Sequence, residues 1–356
     1  MENTSDKIAS FIKYYFEQLT SLAGRWVYIV LTLCVMIGIY LYFRWKSGIK
    51  KISFKDALSF LFPKKIYLHK SAILGYKFYL IDPIIRLLFF NRALQIPISA
   101  FIFVKVQLLL VTWLGEPAYE VNLIEKYPIF FAIVFMIITI WLKELGFYFH
   151  HYLMHKVPFL WEFHKVHHSA KVLTPLTDWR NHPVDLLTML YFSSILLGTF
   201  QAFADYFLMS NLSFNQIIGF NVILFGYYSI AYHLRHTHLW LSFGKYLNHI
   251  FMSPSQHQLH HSIDERHHDK NFGSALSFWD WVFGSLYVAK LEEKLEFGLT
   301  DDSDQNYTSL WMLYSLPFIK NHRAGRSAQV FILLIILLFF MMTFWITVIN
   351  NFILYI

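Results

Sequence analysis

The sequence predicts an all-α integral membrane protein, a bundle of about four to six transmembrane helices with a cytosolic helical cap that carries histidine-rich motifs. Three observations predict this fold class. The 356 residues are 56% hydrophobic and only 15% charged. The mean hydropathy is +0.42, and apolar runs long enough to cross a bilayer recur along the chain. The histidines are concentrated between residues 150 and 268.

Two elements are predicted near the N-terminus. The run Trp26–Phe43 carries no charged residue and is long enough to cross the hydrocarbon core, so it is predicted to be a membrane anchor rather than a signal peptide. The amphipathic stretch Ile52–Phe62 ends at a proline and is predicted to lie along the membrane interface. The run Leu94–Leu114 is long enough for a second span, but a proline, a lysine and a glutamine interrupt it. A re-entrant or bundle-buried helix is an equal alternative there.

The remaining spans follow from the same reasoning. A helix is predicted to begin at Pro128, which suits a first helical turn, and to continue past the bilayer to His155. The stretches Leu186–Phe207 and Ile217–Tyr232 predict an antiparallel hairpin, and Val330–Ile349 predicts the last span. We therefore predict an N-terminal anchor and interfacial region at 1–127, a histidine-rich catalytic domain at 128–299, and a C-terminal segment with the final transmembrane helix at 300–356.

Charge bias predicts the topology. Lysines crowd the stretch after the first span, and positive loops normally face the cytoplasm. The loop before Pro128 is acidic, as expected of an outer loop. These features put every histidine-rich segment on one side. We therefore predict a multi-pass protein of the bacterial inner membrane or the endoplasmic reticulum, with its metal site on the cytosolic side.

Composition also limits the metal chemistry and the partners. The single cysteine, Cys34, excludes an intramolecular disulfide and a thiolate cluster, so any metal must be held by nitrogen or oxygen. The net charge of +7 comes from basic residues beside the predicted spans rather than from an aromatic-interleaved patch. No nucleic-acid partner is therefore expected.

The spacing of the histidines predicts a metal site. Residues i and i+4 of a helix project from one face, so His151 and His155 can reach the same ion. The pattern HxxHH occurs at residues 164–168 and again at 257–261, and each copy is expected to present one helix face. These eight imidazoles exceed what one tetrahedral ion binds, which predicts two metals, with His236 as the ninth ligand. Imidazole suits zinc, copper, iron and nickel, so spacing alone does not identify the metal.

The other histidines are expected to have different roles. His233 or His238 is a candidate tenth ligand, and His182 is balanced between ligand and supporting partner. The sequence HHYLMH has Tyr152 where the zinc-protease pattern HExxH has its general base, so hydrolysis by that route is not expected. His69, His150, His249 and His322 are predicted to be structural residues in the core or at an interface. His267 and His268 are predicted to be exposed on the surface.

Six motifs together resemble the fatty acid hydroxylase and sterol desaturase superfamily of integral-membrane diiron oxygenases. In order, over residues 141–299, they are HHYLMH, LWEFHKVHHS, TDWRNHPVD, LRHTH, SPSQHQLHHS and DKNFGSALSFWDWVFGSLY. The last motif, followed by FGLT, is most similar to bacterial sterol-desaturase-like and alkylglycerol-monooxygenase-like members. The combination is specific, although each motif alone is weak.

The resemblance implies a site of two iron ions. Bacterial relatives commonly have Asn at the position of His238, so this residue is an added ligand or a hydrogen-bond donor. Supporting partners that fix imidazole tautomers are implied at Asp178, Arg180, Asp185, Asp269 and Asp280, with surface salt bridges as the alternative. The implied ligands are His151, His155, His164, His167, His168, His236, His257, His260 and His261, with His238, His233, His182, Asp178 and Asp280 as additional ligands or supporting partners.

The resemblance also implies the reaction class. O₂ is the co-substrate, a lipid enters from the bilayer, and hydroxylation and desaturation are both open. The chain contains no haem, flavin or dinucleotide motif, so a separate electron donor is expected, of the cytochrome b5, ferredoxin or NAD(P)H-reductase kind. Zinc is an expected substitute on purification.

Two rival functions are kept. A divalent-metal transporter would place its ionisable residues near the bilayer midplane, whereas these histidines lie at span ends and in polar segments. A non-catalytic scaffold would not need every histidine. Lys143 and Glu144 lie near the end of the third predicted helix, where an interfacial ion pair is expected.

Overall fold

The computed structural model describes residues 27–48, 53–89, 95–117, 126–208, 226–227, 232–333 and 335–336. Throughout this part of the chain the regular structure is helical, and the only β-type pairings are two isolated bridges, Phe251 with Leu276 and Ser262 with Phe297. Three helices are long and apolar enough to cross a membrane: α1 (Val27–Lys46), α6 (Pro128–Lys156) and α8 (Pro183–Leu208). The prediction of an all-α membrane protein is confirmed.

Not every predicted span falls within the described residues. The run at 94–114 forms α5 (Gln95–Leu114), but its apolar part, Ile98–Leu114, is shorter than the three spans. The predicted spans Ile217–Tyr232 and Val330–Ile349 lie largely outside the described residues. The described part of the chain therefore contains three candidate spans, against the four to six expected.

Between α1 and α5 the chain forms three helices. Helix α2 (Phe54–Leu61) forms within the stretch that was predicted to be interfacial, and its Phe54 and Leu58 side chains are exposed. It is followed by α3 (Lys64–Tyr67) and α4 (Lys70–Phe89). Helix α4 was not predicted, because its charged residues interrupt the apolar pattern on which the predicted spans rested.

The long helix α6 and its neighbour α7 (Pro158–His168) carry the first histidines. Pro128 occupies the first turn of α6, where a missing N–H costs nothing, and the helix continues to Lys156 as predicted. Val157 is extended, and Pro158 then begins α7 in the same way. The proline therefore turns the chain at the end of the span and returns the second set of histidines towards the first.

Helix α8 packs closely against both α5 and α6. A Cβ atom at Gly146 would lie 2.9 Å from Ser193 Cα, and one at Gly198 would lie 2.5 Å from the Ser99 carbonyl oxygen. Glycine is required at both positions because any side chain would collide with the neighbouring backbone. This contact fixes the spans beneath the histidines.

The rest of the histidine-bearing region is a set of short elements. A 3-10 helix at Tyr232–His236 precedes α9 (Gly244–Leu247), α10 (Pro254–His260) and α11 (Phe278–Phe283). Helix α12 (Leu310–Arg323) packs on α7. We call the region from 232 to 299 the cap. It packs over the ends of α6 and α7, and the predicted division at 127 and 299 remains a prediction.

Candidate metal centre

The nine predicted ligand histidines converge in two groups. In each group one candidate ligand atom per residue lies within 4.8 Å of all the others, and eight of the nine side chains are buried. The five-histidine group contains His151, His155, His164, His168 and His260. The four-histidine group contains His167, His236, His257 and His261.

The nitrogen spacing fits metal ligation. With a metal–nitrogen bond of about 2.1 Å, two ligands at 90° are about 3.0 Å apart and two at the tetrahedral angle about 3.4 Å. In the four-histidine group, Nε2 of His236 lies 3.0 Å from His257 Nε2, 3.1 Å from His261 Nε2 and 3.3 Å from His167 Nε2. In the five-histidine group, the Nε2 atoms of His151 and His164 are 3.0 Å apart. Facing imidazole nitrogens at these distances fit a shared cation.

The helices split each HxxHH motif between the two groups. The i and i+4 residues of each motif belong to the same group. His164 and His168 are in the five-histidine group, and His257 and His261 are in the four-histidine group. The i+3 residue serves the other group, because adjacent residues of an α-helix point about 100° apart. Each motif was expected to present one helix face, and the structure shows that the residues of that face serve two groups. Each motif connects the two groups.

Hydrogen bonds fix the tautomers in the five-histidine group. Nδ1 of His151 donates to the Phe272 carbonyl at 2.7 Å, and Nδ1 of His260 donates to the Lys270 carbonyl at 2.8 Å. Nδ1 of His164 pairs with Asp185 Oδ2 at 2.5 Å. Since a carbonyl oxygen can only accept, the proton lies on Nδ1 and Nε2 keeps its lone pair. Nε2 of His155, His168 and His260 is buried and has no hydrogen-bond partner in the part of the chain that the structure describes.

Asp178 supports the four-histidine group. Its Oδ1 lies 3.4 Å from His236 Nδ1 and accepts a hydrogen bond from Arg235 at 3.1 Å, while Oδ2 lies 3.4 Å from His233 Nδ1. Burial alone would raise the pKa of Asp178, but Arg235 and the neighbouring imidazoles hold this pKa well below its usual range. The carboxylate is therefore charged at neutral pH and faces the outer nitrogen of a predicted ligand.

The NFG segment, residues 271–273, closes the five-histidine group from the cap side. Buried Asp280 accepts hydrogen bonds from the backbone N–H groups of Phe272 at 2.7 Å and Gly273 at 2.8 Å, and from Ser285 Oγ at 2.6 Å. Burial raises the pKa of Asp280 to about 6, and these three donors oppose the rise. Both Asp280 oxygens thus accept hydrogen bonds, and through the N–H of Phe272 they fix the backbone whose carbonyl accepts from His151.

Burial favours the neutral form of six of these imidazoles, and neutral imidazole is the form that binds metal. Burial, with a smaller contribution from neighbouring imidazoles, lowers the pKa of His167 and of His260 to about 3. The same causes, with burial the largest, lower the pKa well below its ordinary value in His168, His236, His257 and His261.

Three additional candidates lie outside both groups. His238 donates from Nε2 to the Phe60 carbonyl at 2.8 Å. His182 uses both ring nitrogens, one with the Tyr314 carbonyl at 3.1 Å and the other with the N–H of Val184 at 3.1 Å. His233 stacks on the Trp179 ring with 4.6 Å between centroids. Among the described residues, none of the three joins a group of potential ligands.

Several supporting residues differ from their predicted roles. His267 was predicted to be on the surface but is buried, 3.2 Å from Glu293. Glu144 was predicted to form an interfacial ion pair, but it is buried and accepts hydrogen bonds from the N–H groups of Ala275 at 2.6 Å and Leu276 at 3.1 Å. Glu144 is buried because the cap folds back over the end of α6, and His267 is buried by contacts within the cap, with Tyr287 and Glu293; local sequence reveals neither arrangement.

Arg180, Asp269 and His150 each have a different structural role. Buried Arg180 donates to the Val166 carbonyl at 3.1 Å and to Ser169 Oγ at 2.7 Å, so it anchors the C-terminal end of α7. Asp269 forms an exposed ion pair with Lys156, which is the alternative kept for it. His150 is a buried histidine paired with Asp185 Oδ1 at 3.0 Å. Sequence reasoning assigned it to the core but missed that it shares a carboxylate with His164.

Comparisons with known proteins identify similar sequences over the histidine-bearing region. Residues 136–285, which include all nine histidines, match the model of the Fatty acid hydroxylase family. The chain is 29% identical over 157 residues to alkylglycerol monooxygenase of Homo sapiens, covering 44% of this chain and 31% of that protein. It is 27% identical over 176 residues to the ornithine lipid hydroxylase OlsE of Rhizobium tropici, covering 49% and 48%. The matches span less than half of these relatives' length. No solved structure gives a significant match.

Proposed function

We propose that this chain, whose residues 136–285 match the fatty acid hydroxylase family, is a membrane-bound non-haem diiron oxygenase that hydroxylates or desaturates a lipid. The observation that carries the proposal is the partition of nine imidazoles into two groups with the nitrogen spacing of metal ligands. One ion would be held by the five-histidine group and the other by the four-histidine group. Neither group fills six coordination positions, which leaves room for O₂.

When iron is bound, the centre would use O₂, two electrons from a separate donor and two protons to insert one oxygen atom into a C–H bond, the other leaving as water. The chain's own residues prepare the site. Asp185 and Asp178 orient ligand rings, and the NFG segment holds His151. Burial of the histidines limits the access of water to the reacting atoms.

An apolar cavity supports a lipid substrate. It has a volume of about 460 Å³ and lies between α1, α4 and residues 174–176, with Leu33 and Leu176 among its lining residues. This volume falls in the range of roughly 300–1,000 Å³ typical of small-molecule sites. The lining segment continues to Asp178, which contacts His236. We propose that the cavity holds the hydrocarbon chain of the substrate.

The cytosolic side is also proposed for the metal site. Ser71, one residue after Lys70 at the start of α4, contacts Arg180, and its Oγ accepts from the N–H of Lys171 at 3.1 Å. The start of α4 therefore lies beside the C-terminal end of α7. The lysine-rich stretch that ends at Lys70 is thus on the same side as the histidines, which supports a cytosolic site by the positive-inside rule.

Metal content and product formation test the proposal together. The protein purified in detergent after expression with ample iron should contain close to two irons per chain and should oxidise a lipid when O₂ and a reductant are supplied. The double variant His260→Ala, His261→Ala removes one residue from each group and should lose iron and product. The matched control His268→Ala changes an exposed histidine outside both groups and should lose neither. A wild-type chain that binds iron but never oxidises lipid would indicate a scaffold or a transporter.

The cavity has its own test. Leu33→Trp should fill it and shift the preferred substrate to shorter chains, with iron content unchanged. Ile37→Trp is the control, since this side chain is exposed on the same helix and does not line the cavity. An unchanged chain-length profile in Leu33→Trp would refute the cavity assignment while leaving the oxygenase proposal intact.

A further inference from the structure

The cap carries large apolar side chains on its outer surface. We call Tyr246, Leu247, Ile250, Trp281, Val282 and Phe283 the aromatic patch. They lie on and beside the short helices α9 and α11, and all are exposed, Tyr246 at 80% and Trp281 at 57%. Apolar surfaces of this kind on a folded domain usually mark contact with a partner or a membrane.

The aromatic patch continues the outer surface of a candidate membrane span. The Phe283 ring packs against Tyr148 at 5.1 Å and against Phe149 at 5.4 Å, both on α6. Further towards the start of α6, Trp141 packs against Phe278 of α11 at 4.5 Å. Beyond Trp141, the α6 residues that face outwards, such as Ile137, are apolar and exposed. The patch is therefore adjacent to the surface that α6 presents to lipid.

The charge of this surface also fits a membrane. Residues 241–263 contain no acidic side chain, and residues 271–289 contain only Asp280, which is buried. Lys245 is exposed within the patch, and its Nζ lies 5.7 Å from the Tyr246 ring centroid. Tryptophan and tyrosine beside lysine are typical of membrane interfaces, where the rings sit at the headgroup level and the ammonium group attracts anionic lipid.

We propose that α9 and α11 insert the aromatic patch into the boundary between headgroups and acyl chains, beside α6, so that the cap is anchored in the membrane. This inference does not depend on the proposed reaction. Its consequence for the site is direct, because α11 carries Asp280, which holds the Phe272 carbonyl against His151. Lipid contact therefore supports α11, the helix that positions the NFG segment beside the five-histidine group.

Depth measurements in a bilayer test the proposal. In a Cys34→Ser background, the full-length protein would carry one cysteine at a time, at Trp281 or Tyr246 in the patch, at Glu292 on the exposed cap surface outside it, or at Ile133 in α6. Each would be labelled with a fluorophore and reconstituted in nanodiscs that contain anionic lipid. Quenching by brominated lipid and by aqueous iodide would then be compared.

The expected result is that labels at Trp281 and Tyr246 are quenched by brominated lipid several-fold more strongly than the label at Glu292, and by iodide several-fold more weakly. The label at Ile133 marks full lipid exposure. Patch labels that iodide quenches as strongly as it quenches the Glu292 label would overturn the proposal and indicate a soluble partner instead. If Trp281→Cys does not fold, Tyr246→Cys decides alone, because its largely exposed side chain contributes little packing.

Discussion

Replacing Asp185 with asparagine should selectively weaken iron binding in the five-histidine group. The two carboxylate oxygens accept from two rings, His164 Nδ1 at 2.5 Å and His150 Nε2 at 3.0 Å. An amide has one acceptor oxygen and one donor NH₂ group, so it can accept from only one of these rings. The other ring must turn or change tautomer. For His164, the tautomer change places the proton on Nε2, which is the nitrogen that faces the group.

The size of the effect follows from this geometry. Loss of a hydrogen-bond partner behind a metal ligand typically costs roughly 10–100-fold in metal affinity, or about 1.4–2.7 kcal/mol. The four-histidine group has its own carboxylate, Asp178, and keeps its ligands. Asp185→Asn should therefore release one of the two irons at a chelator concentration about 10–100-fold below that needed for the wild type. The second iron should be released as in the wild type.

The assay is iron retention by elemental analysis after equilibration with increasing chelator. Asp269→Asn is the matched control, because Asp269 forms an exposed ion pair with Lys156 and contacts neither group. If Asp185→Asn retained both irons like the wild type, the assignment of Asp185 as the residue that positions His164 would be wrong. If both irons were lost together, the two groups would not be independent sites.

Two further outcomes are expected. Asp178→Asn should weaken the binding of iron in the four-histidine group by a similar factor of about 10–100, because Asp178 faces His236. Release of the iron in the five-histidine group instead would contradict this. Gly198→Ala should lower the free energy of unfolding in detergent by about 1–3 kcal/mol, an amount typical of overpacking, since its Cβ would meet a backbone oxygen at 2.5 Å. Gly75→Ala, a helical glycine with open space around its Cβ position, is the control and should be neutral or slightly stabilising; equal losses in both variants would refute the packing argument.

Much of the fold and the membership of the site could be predicted from local patterns. The apolar run after Pro128 predicted α6 up to the histidines, and the helix ends one residue beyond His155. Helical spacing identified the histidines that converge. What could not be predicted depends on how distant segments meet. The Phe272 carbonyl reaches His151 only because the cap folds over α6, and the same folding buries Glu144. His267 is buried by residues more distant along the cap, Tyr287 and Glu293.

The division of each HxxHH motif leads to a last prediction about two adjacent residues. His167 belongs to the four-histidine group and His168 to the five-histidine group, because neighbouring residues of α7 point about 100° apart. His168→Ala should therefore weaken iron binding in the five-histidine group, as Asp185→Asn does. The double variant should lose little more iron than either single variant, since both changes act on one site. His168→Ala combined with Asp178→Asn should instead reduce retention of both irons, and His167→Ala should show the reverse pattern. Chelator titration of the single and double variants measures this coupling. Equal coupling of His167→Ala and His168→Ala to Asp185→Asn would mean that the imidazoles form one shared pool of ligands rather than two sites.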